Sequence, residues 1–231
     1  MRKLDLQNLV CLTYFDASFA QEVGHKSQGC LFTVLTDQSV VRQPVVGNLV
    51  EYESTTIQRV VRSTMAAESA ALVKALDRQL YLRLMVETIL YGQPEIHDKD
   101  WRVELRVPGI LVTDAKSLYD NLQKEGSLPT ERQTLLDVLV AKDLVERKCI
   151  TVRWLPNTHQ FADFLTKATA ATENLQIFLR RGLLSLVPTQ QQVDEEAHRL
   201  TLRRGQRQRA KESGRTPGRR ARSASTPEQT V

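Results

Sequence analysis

No run in this sequence approaches the roughly 18 apolar residues that a membrane-crossing helix needs. The opening Met1-Arg2-Lys3-Leu4-Asp5-Leu6 has no apolar secretory region, so an intracellular protein, cytoplasmic or nuclear, is expected. Cysteine is scarce: Cys11, Cys30 and Cys149 stand far apart, with no Cys-x-x-Cys pair. That pattern argues against a zinc site and fits buried free thiols in a reducing compartment. There is no internal repeat. Most of the chain also lacks a charge excess. Residues 188–231 hold ten Lys/Arg against five Asp/Glu, which accounts for the whole net charge of +5. Residues 1–187 are therefore neutral overall, which excludes a strongly basic nucleic-acid binder as the folded part.

What is present is enough apolar material, 41% of 231 residues, for one ordinary domain and an extension. Three strands are expected early. The first is Val10–Phe15. The second is Gly29–Leu35, followed by a turn around Thr36-Asp37-Gln38. The third is Leu49–Thr55, whose polarity alternates as in a half-exposed strand. Short connections make them antiparallel. A helix follows over 63–91, with Leu72, Leu76, Leu80 and Leu84 four apart, alanines that permit close approach to a sheet, and Ser63 or Thr64 as cap. Gly92 and Pro94 stop it. A fourth strand is expected at 107–113, helices at 117–124 and 131–147 with a break at Gly126, a fifth strand at 150–155, and short helices at 160–168 and 173–186. Strands four and five each follow a helical crossover and so lie parallel to the first. The expected fold is α/β: a mixed five-stranded sheet, strands 1–3 antiparallel and 1, 4 and 5 parallel, flanked by helices. The folded domain spans 1–187, with a core of about 8–170. The Arg-, Gln-, Gly-, Ser- and Pro-rich stretch 188–231 is expected to be a disordered basic tail able to contact phosphates.

Four acids stand at informative places. Asp16 ends the apolar run Leu9–Phe15, Glu68 lies in the first turns of the long helix, Asp114 ends Gly109–Thr113, and Asp163 opens a short helix after the fifth strand. A single Asp at a strand end is usually a turn or cap residue. Four that converge beyond the carboxyl edge of parallel strands make a different case. Their hard oxygens suit Mg²⁺ or Mn²⁺, and two such ions about 3.5–4 Å apart can clamp both oxygens of a phosphodiester displacement.

The local motifs are more specific. Thr13-Tyr14-Phe15-Asp16-Ala17-Ser18, Arg62-Ser63-Thr64-Met65-Ala66-Ala67-Glu68, Leu111-Val112-Thr113-Asp114-Ala115-Lys116-Ser117, Pro129-Thr130-Glu131-Arg132-Gln133 and Leu155-Pro156-Asn157-Thr158-His159-Gln160-Phe161-Ala162-Asp163-Phe164-Leu165-Thr166-Lys167 occur in this order. Together, over about residues 8–170, they resemble the ribonuclease H region of copia-type retrotransposon polyproteins. The resemblance implies a ribonuclease H-like fold and cleavage of the RNA strand of RNA–DNA hybrids during reverse transcription. It further implies two Mg²⁺ or Mn²⁺ ions on Asp16, Glu68, Asp114 and Asp163, and a reverse transcriptase domain of the same polyprotein as partner.

Departures and lesser candidates complete the reading. Ala17 follows the first Asp where many ribonucleases H have Gly. His159, four residues before Asp163, is a candidate for product release or proton transfer against the plainer role of a cap or surface group. Ser18, Thr64, Lys116, Ser117 and Arg132 are candidates for contact with phosphate or the 2′-hydroxyl, each with an ordinary cap or surface role as the alternative. Two other functions compete: an inactive or domesticated retroelement fragment that binds nucleic acid, and another carboxylate enzyme of this fold, such as an integrase or resolvase core. The Phe161-Ala162-Asp163 motif after strand five favours ribonuclease H over the latter.

Overall fold

The computed structural model describes residues 2–22, 25–92, 102, 105–123, 128–156, 159–167 and 172–187. The expectations of a disordered tail and of a break at Gly126 lie outside those residues.

Three long strands come first: β1 (Leu9–Glu22), β2 (Lys26–Asp37) and β3 (Val45–Thr56). They pair as an antiparallel meander, with Thr13 opposite Thr33 and Phe32 opposite Tyr52. Helix α1 (Thr64–Tyr91) follows. Ser63 caps it, its Oγ accepting from Ala66 N at 3.1 Å, and Gly92 ends it at φ 86°, a conformation that glycine adopts without strain. Then come β4 (Gly109–Thr113), α2 (Lys116–Gln123), α3 (Arg132–Glu146) and β5 (Ile150–Trp154). Strands β4 and β5 run parallel to β1, as the helical crossovers require. The last elements are α4 (Glu173–Arg181) and β6 (Leu183–Leu184).

The sheet order is β5-β4-β1-β2-β3-β6. The sixth strand corrects the expected five. Gly182 takes a left-handed φ of 70°, so the helix expected to reach 186 stops at Arg181 and the next two residues pair with Val45 and Val46. The first strand also differs. It continues past Asp16 to Glu22, because β2 stays paired with it through Ala17 and Ser18. Asp16 therefore sits inside a strand rather than at its end. The helix expected over 160–168 is a single 3-10 turn, Asp163–Leu165.

One sheet face packs against α1, α2 and α3. Leu72 and Leu76 of α1, Phe15, Leu31 and Leu111 of the sheet, and Val138 and Leu144 of α3 are all buried there. Each fully buried leucine stabilises by about 1.5–3 kcal/mol. The other face holds an aromatic cluster. Phe161 stacks on Tyr14 at 4.8 Å between centroids, and Phe32 meets Phe161, Phe164 and Phe178 edge-on at 5.7–5.9 Å. Four of the six phenylalanines thus fasten the 3-10 segment and α4 to the sheet.

A polar stripe on α1 runs beside the leucines. Gln79 donates to Cys11 O, Thr13 Oγ1 and Ile110 O; Arg83 donates to Val107 O and Cys149 O; Glu87 accepts from Arg106 N and Val107 N. All three side chains are buried, and each satisfies backbone groups at the end of the sheet remote from Asp114.

Candidate metal centre

The parallel register Tyr14↔Val112 places Asp16 and Asp114, two residues further on, at the same height and on the same side of neighbouring strands. The aromatic cluster brings Asp163 to them. Gln160, buried, donates to Phe15 O at 2.9 Å and so ties the start of the same segment to β1. Carboxylate oxygens of Asp16, Asp114 and Asp163 lie within 4.8 Å of one another. Glu68, on the second turn of α1, is buried beside them. It interacts electrostatically with Asp16 and Asp114, and its Oε2 has no hydrogen-bond partner among the described residues.

Crowding acids in a dry setting raises their proton affinity. Burial lifts Glu68 well above the usual carboxylate range, with repulsion from Asp16 and Asp114 adding to it. Burial and Asp16 raise Asp114. Asp163 is pushed up to about 6 by burial, with Asp16 and Asp114 adding to the rise while its bond from Lys167 opposes it.

Two residues that sequence reasoning left unassigned are built into the cluster. Lys167 Nζ lies 2.9 Å from Asp163 Oδ1, 3.3 Å from Asp16 Oδ2 and 3.9 Å from Asp114 Oδ2. Burial works against its charge, but Asp16, Asp163 and Asp114 outweigh it and hold the ammonium above its ordinary range. Thr166 Oγ1 donates to Asp16 Oδ2 at 2.5 Å. The available signal was spacing: residues three and four after Asp163 in a helical turn return to its face.

The lesser candidates scatter. Ser18 is buried, with an Oγ lacking a partner among the described residues, so it is not a surface contact. Thr64, Ser117 and Arg132 are exposed on the first turns of α1, α2 and α3. Lys116 Nζ lies 4.9 Å from the ring centres of both Tyr119 and Trp154, and Trp154 Nε1 donates to Asp114 O at 2.9 Å. That bond makes Trp154 a support for the backbone of Asp114. The half-buried His159 has its proton affinity lowered by burial, and its Nε2 is 3.4 Å from Asn174 Nδ2.

The topology decides the architecture. Strands β1–β3 form a meander, β4 and β5 extend it in parallel beyond β1, and acids from β1, the β4 end and the post-β5 segment meet at one edge. The fold is ribonuclease H-like. No protein-family model matches the sequence, and no curated protein matches it. Among solved structures, ribonuclease H1 of Halobacterium salinarum is similar at 19% identity, over 67% of this chain and 92% of that one, with a TM-score of 0.41. The N-terminal ribonuclease H domain of Rv2228c from Mycobacterium tuberculosis is similar at 15% identity, over 69% and 92%, with a TM-score of 0.42. LC11-RNase H1, isolated from compost by a metagenomic approach, gives 17%, 70%, 95% and 0.44 in the same terms. At such identities and TM-scores, function has to be argued from this chain's own side chains.

No helix among the described residues is long and apolar enough to cross a membrane.

Proposed function

We propose that this protein is an endonuclease that cleaves the RNA strand of RNA–DNA hybrids, with two divalent ions, Mg²⁺ or Mn²⁺, held by Asp16, Glu68, Asp114 and Asp163. The observation that carries the reading is the convergence of three carboxylates within 4.8 Å beside the orphaned Glu68 Oε2. A buried carboxylate oxygen with no donor costs folding free energy, and such a cost is retained where a ligand later satisfies the group. Hard, anionic, all-oxygen donors fit Mg²⁺ or Mn²⁺ and not a soft metal.

When bound, such ions supply an activated water and neutralise charge at the leaving oxygen. The chain's own groups prepare that chemistry. Thr166 fixes the rotamer of Asp16 by donating to Oδ2. Trp154 holds the backbone of Asp114. Gln160 and the stack of Phe161 on Tyr14 hold the segment that delivers Asp163. The sheet and α1 keep water from the sides of the site, so the carboxylates keep strong fields toward the opening. Lys116 stands beside the site as an exposed cation for phosphate. The five ordered motifs support a finer reading, in which the domain acts during reverse transcription of a copia-type retroelement, beside a reverse transcriptase domain of the same polyprotein.

The test is cleavage of a labelled RNA–DNA hybrid in Mg²⁺ or Mn²⁺ by the full chain and by Asp114→Asn. The expected result is cutting of the RNA strand alone by the wild type, lost in the variant. An intact hybrid with well-folded wild type, under conditions where a control enzyme cuts, would overturn the proposal.

A further inference from the structure

The cluster already contains a cation. Lys167 Nζ touches three of the four acids, at 2.9 Å from Asp163, 3.3 Å from Asp16 and 3.9 Å from Asp114. Among the described residues no other ammonium or guanidinium is within salt-bridge distance of these carboxylates. An ammonium at these distances uses the same oxygens that a divalent ion must take: both oxygens of Asp16 face Nζ, at 3.3 and 3.4 Å. Two cations cannot share those lone pairs at full strength, since coordination to a metal draws each oxygen to about 2.0–2.2 Å from the ion and sets the ammonium against a double positive charge.

Lys167 also has somewhere to go. Its side chain is 33% exposed, whereas those of Asp16, Asp114 and Asp163 are 1%, 9% and 7% exposed. It lies just past the 3-10 turn, on a stem with four rotatable carbons. Swinging out returns the ammonium to water without disturbing the backbone that carries Asp163.

We infer that Lys167 is a built-in counter-ion, which neutralises the empty carboxylate cluster and is displaced into solvent by the divalent ion, so that it sets the strength of metal binding. This rests on the proposed function, because it assumes that the cluster is a metal site. The arrangement serves two ends: the apo protein folds without three to four unshielded buried carboxylates repelling one another, and metal binding is held weaker than four acids alone would make it.

The experiment is calorimetric titration of chelator-treated full chain with Mg²⁺, wild type against Lys167→Met, which keeps the apolar stem and removes the charge. Thermal melting of both is followed in EDTA and in saturating Mg²⁺. The variant is expected to bind Mg²⁺ at least about tenfold more tightly. It should melt lower than wild type in EDTA and recover most of the difference in Mg²⁺. Equal or weaker binding by Lys167→Met than by wild type would overturn the inference alone. Absence of binding in both proteins would overturn it together with the proposed function. A second measurement needs no variant: reductive methylation of wild-type lysines, read by peptide mass spectrometry, should label Lys167 faster with Mg²⁺ than with EDTA. An unchanged rate, with binding established by calorimetry, would overturn the displacement.

Discussion

Thr166 and Asp16, 150 positions apart in sequence, are joined by a hydrogen bond of 2.5 Å from the threonine hydroxyl to Oδ2. Asp16 is almost wholly buried, and this hydroxyl reaches it from just past the 3-10 turn, a segment that Cys30 and Phe32 of β2 also hold. The bond fixes which lone pairs Asp16 presents to the opening. Replacing Thr166 by Val removes the donor at nearly constant volume; replacing it by Ser keeps it. Hybrid cleavage should fall about tenfold in Thr166→Val, equivalent to about 1.4 kcal/mol, and stay within about twofold of wild type in Thr166→Ser. Single-turnover rates on a labelled hybrid, with melting temperatures as a control for folding, check this.

Gly109 begins β4 directly beneath the Gln79 and Arg83 side chains of α1. A Cβ there would run into Gln79 Oε1 and lie 2.9 Å from an Arg83 guanidinium nitrogen. Both side chains are held by backbone carbonyls and cannot retreat without releasing them. Gly109→Ala should destabilise the fold by about 1–3 kcal/mol, mostly from forced displacement of these two groups. Urea unfolding measures it as a lower midpoint with an unchanged slope.

Cys11 is fully buried under α1, and burial pushes its thiol up to about 12. At pH 8 the thiolate is on the order of one part in 10⁴, so iodoacetamide should leave Cys11 unmodified in the native protein and alkylate it in urea. The folded thiol holds its proton well above the ordinary cysteine value of 9.0. The stability tied to the neutral thiol is therefore full below about 9 and is lost as pH rises from there toward 12. Melting temperature against pH in that window, compared with Cys11→Ala, isolates the contribution: the wild type should lose more stability than the variant.

The excess charge resides in residues 188–231, with ten basic and five acidic positions. If those cations meet phosphates, the affinity of the full chain for a hybrid will fall steeply with salt, and deletion of 188–231 will flatten the slope without changing which strand is cut. Fluorescence anisotropy at a series of salt concentrations gives both slopes; identical slopes would assign the tail no phosphate contacts.

Much of this was legible in the chain before its structure. The leucines at 72, 76, 80 and 84 placed α1, because hydrophobic periodicity reports burial there; the alternation around Glu51 and Glu53 located β3 but with its faces reversed, since Leu49, Val50 and Tyr52 are exposed while Glu51 and Glu53 are half-buried against Arg78 and Lys74 of α1. Asp16, Asp114 and Asp163 were findable because each follows or continues an apolar strand. What was hidden depends on partners distant in sequence. The strand β6 is two residues long and exists only because Gly182 turns it onto Val45 and Val46. The continuation of β1 to Glu22 reflects pairing with β2, which local apolarity does not encode. Gln79, Arg83 and Glu87, polar residues at four-residue spacing, are interior because the strand backbone needs their donors and acceptors. Lys167 carried no assignment of its own in the sequence, because only the 3-10 turn lays it over three carboxylates.

Arg2 and the end of α4 are in contact. The Arg2 guanidinium donates to Arg180 O at 3.0 Å, its backbone N–H donates to Asn48 Oδ1 at 2.7 Å, and the Cα of Gly182 lies close against the same arginine. The start of the chain is thus pinned where α4 turns into β6, on the β3 edge, and the chain runs on through β6 along that edge to Leu186, whose N–H donates to Val40 O at 2.9 Å. A loop grafted from the end of β6 back to Arg2 would allow the chain to be reopened elsewhere, as in a circular permutant, with the carboxylate edge undisturbed. For the same reason the domain can be threaded into a longer polypeptide as a single bead whose two strings emerge side by side, leaving its opening free to face whatever its neighbours hold.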